Sequence, residues 1–185
     1  MRALFALLIL TVGILNVQWP SATATSFVSR PSPADAFVDS VGFNVHLSYT
    51  TSCYQAGYEV FKKIFLSLGH RHARDGMIPN MASYYYDNMN ELGRGGVGFQ
   101  LIVANGTAAS IISSYHTLVL DAFERYEGPN EVDLNFPKTY ATDAGYMARV
   151  LWNAHNPAYK VVGTSLTTIE AYAAVGNLSA WVDYG

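Results

Sequence analysis

The chain has 185 residues, half of them hydrophobic and 14% aromatic, with 11 lysines and arginines against 14 aspartates and glutamates. Such a composition suits one packed domain rather than a disordered or fibrous chain, and the mildly acidic balance excludes the basic stripe that nucleic-acid binding requires. Cys53 is the only cysteine, which excludes an intrachain disulfide and a cysteine-based metal site.

At the N-terminus, Arg2 precedes an apolar run from Ala3 to Leu15, then Trp19, Pro20 and the small-residue triplet Ala22-Thr23-Ala24. That order predicts a secretory signal peptide over residues 1–24, cut after Ala24. The run is short of the roughly 20 apolar residues needed to span a bilayer. The expectation is a secreted or periplasmic protein with no membrane association after cleavage. Loss of Arg2 makes the mature chain slightly more acidic. Residues 25–36 are rich in Ser, Pro, Ala and Thr and read as a flexible lead, with the domain running from 37 to 185.

Val41 to Ser48 alternates apolar and polar residues as a strand does. Phe61, Ile64, Phe65 and Leu68 then recur at helical spacing, and Gly69 ends that helix. His70 to Arg74 is a second short strand, ending at Asp75-Gly76, and Tyr85, Met89 and Leu92 mark a second helix. Val97 to Ala104 is the clearest buried strand, followed by a helix carrying Ile111, Tyr115, Leu118, Val119 and Ala122. A fourth strand starts at Arg125 and is followed by a polar loop, Val132 to Thr139, and a helix through Ala144, Met147, Ala148 and Leu151. Val161 to Leu166 is a fifth strand, Ile169 to Leu178 a weak fifth helix, and Trp181 to Tyr184 the start of a sixth strand.

Strand starts near 41, 70, 97, 125 and 160 are spaced by about 30 residues, the size of one βα unit. Alternating strands and helices predict an α/β fold with a parallel sheet. The two candidates are a (β/α)8 TIM barrel, which takes about 250 residues, and an open doubly wound sheet. A glycine-rich phosphate loop after the first strand would favour the second, and Tyr49-Thr50-Thr51-Ser52 stands there instead. A parallel sheet stopping at the sixth strand would leave an unpaired edge. The expectation is therefore a partial barrel of about five βα units plus the start of strand 6.

The fourth strand ends abruptly at Gly128-Pro129 and then offers Asn130 and Glu131. Parallel barrels place their catalytic groups at this strand-to-helix loop.

Val41 to Ser48, Leu68 to Gly76, Glu127-Gly128-Pro129-Asn130-Glu131 and Leu178 to Gly185 together resemble the clan A (β/α)8-barrel glycoside hydrolases related to families 5 and 39, of the secreted bacterial type. The resemblance covers about residues 37–185. It implies a retaining glycoside hydrolase acting on poly- or oligosaccharide. Glu131 would be the general acid/base, Asn130 the ligand of the sugar 2-hydroxyl, and Arg74, at the end of strand 2, the cation that steers the nucleophile. Retention needs one carboxyl protonated to donate to the leaving oxygen and a second, ionised one about 5 Å away to attack the anomeric carbon. The family's nucleophile is a glutamate after strand 7, which lies beyond this sequence; its His-Tyr pair near strand 6 is also missing, and Ala104-Asn105-Gly106 follows strand 3 where a histidine is often found. The expectation is a catalytically incomplete fragment of an active parent. The runner-up is a non-catalytic carbohydrate-binding barrel.

His46, near the top of strand 1, is a candidate for lining the sugar pocket. Glu127 shares a strand face with Glu131, deeper in, and is a candidate structural partner for Arg74, as is Asp75. His70 and His72 are two apart and would share a face, but two histidines without a third ligand make a poor metal site. Neither a metal nor another cofactor is expected. Of Tyr84, Tyr85 and Tyr86, at least one is expected in the core rather than stacked on a sugar. Asn105-Gly106-Thr107 and Asn177-Leu178-Ser179 fit the glycosylation sequon. Oligomeric state has no sequence signal.

Overall fold

The structure, a computed structural model, describes residues 34–184. The expected signal peptide and residues 25–33 of the expected lead lie outside the described residues. Part of the lead does not read out as expected: Ala34–Val38 forms a short helix, α1, whose Asp35 is paired with Arg71.

The remaining elements alternate as the hydrophobic periods predict. They are β1 (Gly42–Asn44), α2 (Tyr58–Ser67), β2 (His72–Gly76), α3 (Ser83–Arg94), β3 (Gly98–Ile102), α4 (Ala109–Tyr115), β4 (Phe123–Glu127), α5 (Val132–Asn135), α6 (Tyr140–Ala154), β5 (Lys160–Val162) and α7 (Ile169–Val175). The five strands form one sheet, parallel at every pairing, in the order β1-β2-β3-β4-β5. Tyr184 adds a single parallel bridge to Val162, so the predicted sixth strand is present as one rung.

One face of the sheet is apolar. Ala73, Phe99, Leu101, Phe123, Tyr126 and Val161 pack with Phe65, Tyr85, Met89, Leu92, Ile112, Tyr115, Met147 and Leu151 from the helices in a single cluster. Tyr85 is fully buried, and Tyr86 uses its hydroxyl on the Met81 N–H and the Ile78 carbonyl, so this part of the tyrosine run is structural. The opposite face carries Asn44, Arg74, Gln100 and Arg125 in one row across β1 to β4.

Several expected details differ. On α2 the buried face is Tyr58 and Phe65 with Phe61 beside them, whereas Ile64 is 55% and Leu68 61% exposed. The helix is rotated toward Tyr58, whose hydroxyl is drawn to the Asn88 carbonyl on α3. The loop expected after β4 contains a turn of helix, α5, anchored by buried Val132. The helix after β3 stops at Tyr115; Val119 and Ala122 are buried from the loop that follows. His70 precedes β2 and packs on Phe43 and Phe65, while His72 lies between Glu124 and Asp39, so the two rings do not share a site. No helix among the described residues is long and apolar enough to cross a membrane.

Candidate functional site

Strict alternation along β4 would put Phe123, Arg125 and Glu127 on one face. A bulge prevents this. Phe99 pairs with Phe123 but Gln100 with Arg125, leaving Glu124 as the extra residue. Phe123 and Tyr126 therefore both reach the apolar core, and Glu127 turns to the polar face at the strand's C-terminal end.

Glu127 is 2% exposed, and such burial of a carboxylate requires partners. Arg74 supplies a two-pronged pair, Nε to Oε2 at 2.6 Å and Nη2 to Oε1 at 2.5 Å, and Gln100 Nε2 donates to Oε2 at 2.6 Å. The two partners lie in one row, Arg74 on β2 beside Gln100 on β3, the strand next to β4. Of the two acids the sequence offered Arg74, the structure selects Glu127. Asp75 points to the other face, as period two requires. The hydrogen bonds and charge of Glu127 hold the Arg74 guanidinium above its ordinary pKa against the opposing effect of burial, and the charge of Glu131 adds to this.

Arg74 Nη2 also donates to Asn130 Oδ1 at 2.7 Å, and Ser165 Oγ donates to the same oxygen at 2.9 Å. Asn130 pairs with Ser165 as an isolated parallel bridge beyond the ends of β4 and β5. Its amide nitrogen Nδ2 has no hydrogen-bond partner among the described residues. The close approach of the two strand ends depends on Gly128, where a Cβ would sit 2.6 Å from Thr164 Oγ1 and 2.9 Å from the Thr164 nitrogen.

Glu131, the residue that precedes α5, is in the left-handed region, φ 47° and ψ 42°, which is uncommon for a residue other than glycine. Its N–H donates to the Ser165 carbonyl at 2.9 Å, and its own carbonyl accepts the N–H groups of Leu134 and Asn135. Those bonds and buried Val132 hold a backbone that costs about 1–2 kcal/mol in isolation. The side chain is exposed and its carboxylate has no hydrogen-bond partner among the described residues.

His46 is not part of this cluster. It lies exposed just past β1, its ring stacked on Tyr49 with centroids 4.6 Å apart and 8° between planes, and edge-on to Tyr54. Beneath the same loop is a carboxylate that sequence reasoning gave no separate role. Asp75 is 4% exposed and accepts the Leu47 N–H at 2.9 Å and the Gly76 N–H at 2.7 Å. Burial pushes its pKa up to about 6, against those two N–H groups and the charge of His46.

Two further residues of the site were missed. Gln100 was detectable as the one polar side chain inside the apolar run Val97 to Ala104, whereas Ser165 had no signal, because its role depends on a strand 35 residues away. A cavity of about 710 Å³ opens on the polar face, lined among others by Gln100, Glu127, Ser165, Tyr172, Asp183 and Tyr184. Glu131 is not in its lining. Among the described residues, no group of three or more His, Cys, Asp or Glu side chains could hold a metal ion.

Comparison with protein-family models, with curated proteins and with solved structures returns no match.

Proposed function

We propose that the sheet is the N-terminal part of a (β/α)8 barrel belonging to an extracytoplasmic retaining glycoside hydrolase. The strand order supports the barrel: it runs 1-2-3-4-5 without the reversal of a doubly wound sheet, so right-handed crossovers leave every connecting helix on one face. The other face is polar, as the interior rim of a catalytic barrel would be.

The observation that carries the functional reading is the reach of Arg74 from the middle of β2, two residues short of the strand end expected for it, to Asn130 past the end of β4, directly before Glu131. It brings a cation, an amide and an acid to the C-terminal rim, where barrel enzymes do their chemistry. In this proposal Glu131 gives its proton to the leaving oxygen and later takes one from water. Asn130 donates to a sugar hydroxyl, and His46, with Tyr49, forms an aromatic wall on the β1 side. Arg74 holds Glu127 and Asn130 in place. The nucleophile is a carboxylate outside residues 1–185. No cofactor is required.

A second reading is a non-catalytic carbohydrate-binding barrel. It is favoured by the exposure of Glu131 outside the cavity and by the full engagement of Glu127 with Arg74 and Gln100.

Glu131→Gln in the intact protein separates them. An acid role predicts that turnover of substrates with poor leaving groups is abolished while the glycosylation step with activated aryl glycosides is largely spared. Equal loss on both classes refutes the acid role, and oligosaccharide binding without any turnover in the unsubstituted protein selects the binding barrel.

A further inference from the structure

The loop after β5 clasps the loop after β4 at two points. Ser165 holds Asn130 through its hydroxyl and Glu131 through its carbonyl. Two residues on, Thr167 gives its N–H and hydroxyl to the Asp133 carboxylate, at 3.0 Å and 2.5 Å to Oδ2. The second point fastens the loops together, whereas only the first touches the pair assigned to chemistry.

We propose that Ser165 is a positioning residue: its hydroxyl fixes the Asn130 amide so that Nδ2 faces the ligand, while its carbonyl holds Glu131 in the left-handed backbone. The inference rests on the hydrolase reading for what the pair is aimed at, and on geometry alone for the aiming. A side-chain amide oxygen has two lone pairs. Arg74 Nη2 and Ser165 Oγ occupy both on Asn130. Rotating the amide by half a turn would set its NH2 group against the Arg74 guanidinium, which has no acceptor, so Arg74 selects one orientation, the Ser165 hydroxyl adds the second bond that holds it there, and both Nδ2 hydrogens remain to be given away. A ligand recognised there must present acceptor oxygens, as the hydroxyls of a sugar do. With Ser165 absent, Arg74 alone would hold Oδ1, and Arg74 is already committed to both oxygens of Glu127. The Ser165 hydroxyl proton points to Asn130, so Ser165 acts through Asn130 and not as a nucleophile.

The Asn130 side-chain NH2 is a direct probe. In the 15N-labelled full chain its pair of cross-peaks is identified by its loss in Asn130→Asp, and its fast motion is read from the heteronuclear NOE. The key pair is Ser165→Thr and Ser165→Val, which exchange a hydroxyl for a methyl at nearly constant volume, with Thr167→Val as the control that breaks only the second clasp. The expected result is a rigid amide in the parent, Ser165→Thr and Thr167→Val, and a mobile one in Ser165→Val with far-UV circular dichroism unchanged. An amide equally rigid in Ser165→Val, or equally loosened by Thr167→Val, overturns the proposal.

In the intact protein, Ser165→Val lowers kcat/KM by about tenfold, mainly through kcat, the scale of one hydrogen bond realised in the transition state. If the intact, unsubstituted protein turns over no aryl glycoside while the amide behaves as expected, the hydrolase reading fails and the positioning by Ser165 stands.

Discussion

Arg74→Met strands Glu127 in the sheet, and the size of the effect follows from the burial of the two partners. The Glu127 side chain is 3% exposed and keeps only Gln100 as a donor once the guanidinium is gone. Removing one partner of a buried ion pair costs about 3–5 kcal/mol, because a charge is left without compensation. The Arg74 side chain is 25% exposed, so water reaches the pair from one side and the lower end of that range applies. A loss of about 3 kcal/mol is a large part of the total for a domain of this size. Urea unfolding followed by far-UV circular dichroism measures it, in a cycle with Glu127→Leu and the double variant. Removing both charges deletes the stranded carboxylate along with its partner, so the double variant is expected to recover more than half of the Arg74→Met loss. A single-variant cost below about 1 kcal/mol, the range of exposed pairs, or additive effects in the cycle, would refute the view that this pair organises the strand ends.

Asp75 makes stability depend on pH. Its folded pKa of about 6 is above the ordinary 3.8, so the fold favours the protonated form. Its contribution is fully present below about pH 4 and is lost as pH rises through about 6, a change on the order of 3 kcal/mol. The urea midpoint of the parent should therefore fall relative to that of Asp75→Asn between pH 4 and 7; parallel curves would remove Asp75 as the cause. Gly128→Ala forces a Cβ onto the Thr164 hydroxyl and backbone nitrogen, at 2.6 Å and 2.9 Å. A loss of about 1–3 kcal/mol is expected in the same assay. Thr164→Ala recovers only part of it, since the backbone contact remains; full recovery would mean that the strands do not approach as closely as described.

The sequence by itself determined the alternation of strands and helices and the parallel sheet, because hydrophobic period and glycine punctuation are local properties of the chain. It also located the abrupt end of β4 at Gly128-Pro129, and with it the Asn130-Glu131 pair that follows. What it could not contain was any consequence of register. Strict period two takes no account of the bulge at Glu124, which turns Phe123 and Tyr126 to the core and Glu127 to the polar face. The contact of Arg74 with Glu127, the part played by Gln100, and the grip of Ser165 on Asn130 and Glu131 all join residues at least 27 positions apart. Only the pairing of β2 through β5 decides them, because a hydrogen bond between strand ends exists once the strands are side by side and leaves no trace in the neighbours of either residue along the chain.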